Sequence, residues 1–224
     1  MTFSIVARCA RTGMFGAAVS SSSPAVAARC AYARAGAGAA TSQNVTDPAL
    51  GTMILRLLEE GLGARAAVEQ AAGSTKHREH RQLTAVDRFG DGFVYTGARA
   101  LGTSSHCVAQ DVACAGNLLA SPDVPRAMVE AFQLGDGHIV DRLLAALNAA
   151  LEAGGEEGPV HSAGIEVVHR VPWPIVDLRV DWAEEAPIER LAEIWTIYRP
   201  QVDDYVTRAL DPSGAPSYGV PGDA

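Results

Sequence analysis

The opening of the chain alternates with a period of two. Phe3, Ile5 and Ala7 fall on one side of Thr2–Arg8, and Thr2, Ser4 and Val6 fall on the other. An extended strand sends successive side chains to opposite faces, so this pattern predicts a strand with two unlike faces. A turn at Arg11-Thr12-Gly13 leads into a second strand over residues 14–20. So short a connection makes the pair an antiparallel hairpin. Residues 25–34 and Gly38–Asn44 are two more strand candidates, rich in Ala and Gly, and pattern alone does not separate the first from a helix. Small side chains there let a backbone or a ligand approach closely.

Helical periodicity appears next. Leu50, Met53, Ile54, Leu57 and Leu58 repeat at helical spacing between Asp47-Pro48 and Gly61. A short helix follows over residues 64–72. Residues 82–86 and Gly92–Thr96 flank Gly90-Asp91 as a second hairpin, and residues 107–114 read as a strand. Asp123 and Pro125 open a helix to about Leu134, and Ile139, Leu143, Leu144, Leu147 and Leu151 mark another that ends at Gly154-Gly155. Strands near residues 160–168 and 175–180 precede a helix from Pro187 that lines up Ile188, Leu191, Ile194, Trp195 and Tyr198. The three tryptophans are expected to anchor that helix. Grouped strands with tight turns point to an α+β fold with antiparallel sheets. Two sheets face to face with helices on both outer sides, a four-layer αββα sandwich, satisfies the order. Residues 1–210 read as one domain and 211–224 as an irregular Pro- and Gly-rich tail.

The formal net charge of −8 disfavours nucleic acid and anionic membrane as partners. No run of 18 apolar residues exists, so no transmembrane helix is expected. The N-terminus lacks the pattern of a signal peptide, and Cys9, Cys30, Cys107 and Cys114 form no CxxC pair. These features suggest a cytoplasmic protein with unpaired cysteines and no bound metal or cofactor.

Motifs for phosphate loops, zinc proteases and serine hydrolases are absent. Thr2 carries the most chemistry. Removal of Met1 would leave an N-terminal threonine whose hydroxyl is a nucleophile and whose own α-amine is a base. That amine has an ordinary pKa of about 8, so part of it is unprotonated near neutrality. Gln43 and Asn117 are uncharged donors suited to an oxyanion, and both sit at strand ends. Ser21, Ser22 and Ser23 in a four-serine run, Asn44, Arg34, Arg81 and His161 are the candidates for substrate binding. Each has a plainer reading. The serines and Asn44 suit turns, and His161 suits a structural strand end.

Several segments together resemble a known family. They are the opening Thr2–Arg8, Ala33-Arg34-Ala35-Gly36, Arg81-Gln82, Gly116-Asn117, Asp177-Leu178-Arg179-Val180-Asp181, and the ending around Tyr205-Val206-Thr207-Arg208 with Tyr218-Gly219. Their combination resembles the bacterial family called domain of unknown function 1028, over nearly the whole chain. That family is grouped with the N-terminal nucleophile (Ntn) hydrolases, which cleave amide bonds with an N-terminal Thr, Ser or Cys. The resemblance implies the αββα sandwich, Thr2 as nucleophile, and no cofactor. Ntn relatives often place a lysine near the nucleophile. Lys76, the chain's one lysine, falls in a polar loop and does not match such a position.

Three functions stay open at this point. The first is a small-molecule amide hydrolase working through an acyl-threonine ester, as a homodimer or higher homo-oligomer. The second is a non-catalytic ligand-binding or assembly protein on the same fold. The third is a hydrolase with a serine nucleophile from the four-serine run and His161 as base.

Overall fold

A computed structural model describes residues 2–220; Met1 and residues 221–224 lie outside the described residues. The first hairpin joins β1 (Thr2–Arg8) to β2 (Phe15–Ser21). A four-residue helix α1 (Ala27–Cys30) precedes β3 (Ala31–Arg34) and β4 (Gly38–Asn44). Then come α2 (Pro48–Glu59) and α3 (Ala64–Gly73). Next are β5 (Arg81–Asp87), β6 (Gly92–Thr96), β7 (Ser105–Ala109) and β8 (Val112–Asn117). The helices α4 (Val124–Leu134) and α5 (Ile139–Glu152) lead to β9 (Ser162–Val168) and β10 (Val176–Val180). The helices α6 (Pro187–Tyr198) and α7 (Val202–Leu210) complete the regular structure.

The strands form two antiparallel sheets. One has six strands in the order β10-β9-β2-β1-β8-β7, and the other has four in the order β3-β4-β5-β6. The core divides into three, and the division follows strand parity. Phe3, Ile5 and Ala7 pack with α4, α5 and α6 outside the six-stranded sheet. Leu83 and Ala85 pack under α2 and α3 outside the four-stranded sheet. Val6, Ala17, Val19, Ala39, Val86 and Ala113 fill the space between the sheets. Three apolar layers separate four layers of backbone, which is the αββα sandwich the element order predicts.

Three local expectations change. Residues 25–34 hold the one-turn α1 before β3, with Ala25 at a φ of 51°. The single strand expected over residues 107–114 is a hairpin, because Asp111 turns the chain at a φ of 66°. Of the three tryptophans, Trp195 alone is buried, donating its indole N–H to Asp141 Oδ1 at 2.7 Å, whereas Trp182 is 50% exposed. Beyond α7 the chain folds back, and the Arg208 guanidinium lies 4.0 Å from the centre of the Tyr218 ring. Among the described residues no helix is long and apolar enough to cross a membrane.

Candidate active site

Thr2 opens β1, a central strand of the six-stranded sheet, with β2 on one side and β8 on the other. The register puts Asn117 opposite Thr2, and Ser20 opposite Phe3, so Ser21 flanks Thr2 from β2. Parity turns Thr2, Ser21 and Asn117 toward the second sheet. That sheet presents Gln43 and Gln82, which are paired across β4 and β5. One step further along lie Ser4 on one sheet and Thr41 and Thr84 on the other. All of these side chains are buried, Thr2 at 6% exposure and the rest at 0%. One end of the inter-sheet layer is therefore polar, and the other is apolar.

Hydrogen bonds knit the polar end across the two sheets. Gln82 is the hub. Its Oε1 accepts from Gln43 Nε2 (2.8 Å) and Asn117 Nδ2 (3.2 Å), and its Nε2 donates to Thr96 Oγ1 (3.1 Å) and to the Gly116 carbonyl (3.0 Å). Gln43 Nε2 also donates to the Ala115 carbonyl at 3.2 Å. Thr2 Oγ1 donates to Ser21 Oγ at 3.4 Å, and Ser4 Oγ to Thr41 Oγ1 at 3.4 Å. Three buried oxygens here, Gln43 Oε1, Thr84 Oγ1 and Asn117 Oδ1, have no hydrogen-bond partner among the described residues. Most buried polar atoms in folded proteins are paired, and an orphan costs about 1–3 kcal/mol. Several together mark a place where the fold carries a polar surface that its own packing does not need.

Beyond Ser21 the chain turns. Ser23 N–H bonds Ser21 Oγ (3.1 Å), and Ser162 Oγ donates to the Ser23 carbonyl (2.6 Å). Ser22 N–H reaches Glu156 Oε2 at 3.2 Å. Glu156 is 5% exposed, and burial pushes its carboxyl up to about 7, against the opposing pull of the Ser22 N–H and the charge of His161.

The structure gathers some of the sequence candidates and scatters others. Thr2, Ser21, Gln43 and Asn117 converge between the sheets. Gln43 spends both amide hydrogens on Gln82 and Ala115, so it has none left for an oxyanion, contrary to the role its residue type suggested. Asn117 spends one and keeps one. Ser22 and Ser23 form the turn after β2. Asn44, at a φ of 72°, ties His80 to Leu101 through its amide, which makes it a turn residue. Arg81 donates to the Val45 carbonyl and lies 3.8 Å from Asp47, so it braces the entry to α2. Arg34 pairs with Glu59 at 2.6 Å. It lies opposite Gly38, five residues along β4 from Gln43 or roughly 17 Å at strand rise, which takes it out of the site. His161 stacks on Trp182 and donates Nδ1–H to the Ala183 carbonyl at 2.9 Å; no serine bonds its ring among the described residues. The pairing of a serine with His161 as base thus lacks its contact. Sequence reading missed Gln82 as the hub, and Ser4, Thr41, Thr84 and Glu156. The first four share a signal: a polar residue at an inward parity of an otherwise apolar strand. Among the described residues no three His, Cys, Asp or Glu side chains cluster as a metal site.

Comparison with known proteins bears on the whole arrangement. No curated protein matches the chain. A crystal structure of a Silicibacter pomeroyi protein, itself assigned to DUF1028, superposes with a TM-score of 0.82 at 31% identity and covers 88% of each chain. Anbu from Hyphomicrobium sp. strain MC1, as a Gly-1 mutant, gives a TM-score of 0.43 at 10% identity over 91% of this chain and 97% of that one. Anbu from Yersinia bercovieri gives 0.40 at 9% identity, covering 90% and 96%. The model of the family described as a family of unknown function, DUF1028, matches residues 2–191, a span that takes in both sheets and every residue of the polar layer. The chain belongs to the DUF1028 family.

Proposed function

We propose that this protein is an Ntn-type hydrolase that cleaves the amide bond of a small molecule. The observation that carries the reading is the position of Thr2: it opens a central strand at the one end of the inter-sheet layer that is polar and incompletely hydrogen-bonded. Once Met1 is removed, Thr2 Oγ1 attacks the substrate carbonyl and its proton passes to the α-amine. The remaining amide hydrogen of Asn117, with backbone N–H groups, holds the oxyanion. Gln43 and Gln82 position Asn117. The amine then protonates the leaving nitrogen, the C–N bond breaks, and an acyl-threonine ester forms. Water hydrolyses the ester and restores Oγ1–H. The reading includes a homodimer or higher homo-oligomer, a cytoplasmic setting, and no nucleic-acid or membrane partner.

A second reading, a ligand-binding protein on this fold, is favoured by Lys76. It is exposed in the turn after α3, so no lysine accompanies Thr2. Intact mass of the native chain with and without a β-lactone probe decides between them. The expected result is loss of Met1 and one adduct on Thr2, with none in Thr2→Ala, a loss on the order of a thousandfold or more in turnover. Retained Met1 and no adduct would establish the binding reading.

A further inference from the structure

The strand β8 ends at Asn117, beside Thr2. Leu118 then takes a φ of 52° and redirects the chain. Leu119 forms an isolated antiparallel bridge with Glu156, flanked by Glu157 N–H to the Leu118 carbonyl (3.0 Å) and Ala120 N–H to the Gly155 carbonyl (3.1 Å). On the other flank β2 ends at Ser21, and the next residue, Ser22, gives its N–H to Glu156 Oε2. Glu156 is thus joined by its backbone to the chain leaving β8 and by its side chain to the chain leaving β2. In the sheet, β1 lies between those two strands. The carboxyl therefore lies across the gap in front of Thr2, and its Oε1 is buried with no hydrogen-bond partner among the described residues.

A carboxylate costs a great deal to bury unless a cation or donors meet it. The α-amine of a chain that starts at Thr2 projects from the head of β1 into this gap. We propose that Glu156 is the receptor for the Thr2 α-amine, pairing with its ammonium form and taking up its proton. The proposal rests on Thr2 being the nucleophile. A neighbouring lysine lowers an amine's pKa because two like charges repel. Glu156 acts differently. The α-ammonium gives one proton to Oε1, leaving a neutral amine and a neutral carboxylic acid. The amine is then free to take the Oγ1 proton as Oγ1 attacks. In a dry site the neutral pair competes well with the ion pair. The tendency of burial to keep this carboxyl protonated supports the exchange. Of the other charged groups around it, His161, at the approach to β9, opposes the rise in its pKa, and Glu184, Glu185 and Glu189 line a cavity of about 360 Å³ with Glu156. Glu156 is in this sense a positioning residue, acting through the amine.

The test uses the chain beginning at Thr2, freed of Met1 by an aminopeptidase or released from a cleavable fusion. The Thr2 nitrogen and the Glu156 carboxyl carbon are titrated by NMR in the wild type, in Glu156→Gln and in Glu156→Asp. Two interacting groups titrate as a pair. The expected wild-type result is two shared steps reported by both nuclei. In Glu156→Gln, which keeps an acceptor for the Ser22 N–H, the amine midpoint should fall by about one pH unit or more, and Glu156→Asp should retain the shared titration. The pH profile of β-lactone acylation should move with the amine. An amine midpoint that is the same in wild type and Glu156→Gln would overturn the proposal, as would wild-type nuclei that titrate independently; the second result needs no variant to fold. Adducts in the wild type with an unmoved amine would leave the nucleophile reading standing and remove Glu156 from it. A moved amine without adducts would do the reverse, establishing the pairing and removing the hydrolase.

Discussion

The two ends of the inter-sheet layer are built from the same strands at the same parity, and they differ in chemistry alone. At one end Ala17, Val6 and Ala113 face Ala39 and Val86. At the other end, two rows along, Ser21, Thr2 and Asn117 face Gln43 and Gln82. Burial is nearly complete in both. The apolar end gains about 25 cal/mol for each Å² it removes from water. The polar end must replace every hydrogen bond to water that it loses, and three of its oxygens find no replacement. A sandwich needs its middle layer dry, which the apolar end achieves. The polar end costs stability and is explained by what it can hold.

Substitutions at matched positions test that contrast. Gln82→Leu keeps the volume but removes the hub, leaving an amide hydrogen each of Gln43 and Asn117 without an acceptor. The expected cost is about 3 kcal/mol, or roughly 6–12 °C in melting temperature. A melting temperature unchanged by Gln82→Leu would show that the network contributes no stability of its own. Val6→Ala, at the apolar end of the same layer, leaves a small cavity and should cost about 2 kcal/mol in denaturant unfolding. Thr2 labelling should survive Val6→Ala and be lost in Gln82→Leu, since one substitution disturbs Asn117 and the other does not.

A third substitution probes the one acidic residue at the apolar end. Glu166 lies opposite Ala17 and accepts the Ala33 N–H at 2.8 Å. Burial lifts its carboxyl from 4.5 to about 7, opposed by that N–H. A raised carboxyl means the folded state binds its proton more tightly than the unfolded chain does. The stability it contributes is present below pH 4.5 and is lost as pH rises through about 7. Glu166→Gln should flatten that decline by roughly 1–2 kcal/mol after solvent screening, read as melting temperature against pH between about 4 and 8. An equally steep decline in the variant would place the charge elsewhere, with Glu156 the first alternative.

How much of this was legible in the sequence depends on how far apart the partners lie. Thr2 and Ser4 against Phe3 and Ile5 showed two unlike faces of β1 directly, because strand parity is a local property. The sandwich followed from the grouping of strands. The hub did not. Gln82 meets Gln43 and Asn117 across 39 and 35 residues of chain, so strand parity gives its face but not its partners. Glu156 follows Gly154-Gly155 in the chain, and the contacts that accompany its burial, the bridge to Leu119 and the Ser22 N–H, come from residues 37 and 134 positions away. Arg34 does not join the polar layer, for a geometric reason. It is near Gln43 in sequence, but the tight turn between β3 and β4 sends them to opposite ends of the sandwich.

The smallest expected effect concerns Lys76. An Ntn mechanism that depends on a lysine has just this one to use. It is exposed in the turn after α3, which packs on the outer face of the four-stranded sheet, away from the inter-sheet layer. To reach Thr2 its ammonium would have to leave water and cross the buried row of Gln43 and Gln82. Lys76→Met should therefore leave β-lactone labelling of Thr2 within about twofold of wild type, and stability within about 0.5 kcal/mol, as for other exposed sites. Abolished labelling in a folded Lys76→Met variant would mean that the turn closes over the site, and the amine would be tuned by charge repulsion after all. Unchanged labelling leaves the work to groups already buried at the polar end, where Glu156 is the carboxyl joined to the chain leaving each strand that flanks Thr2.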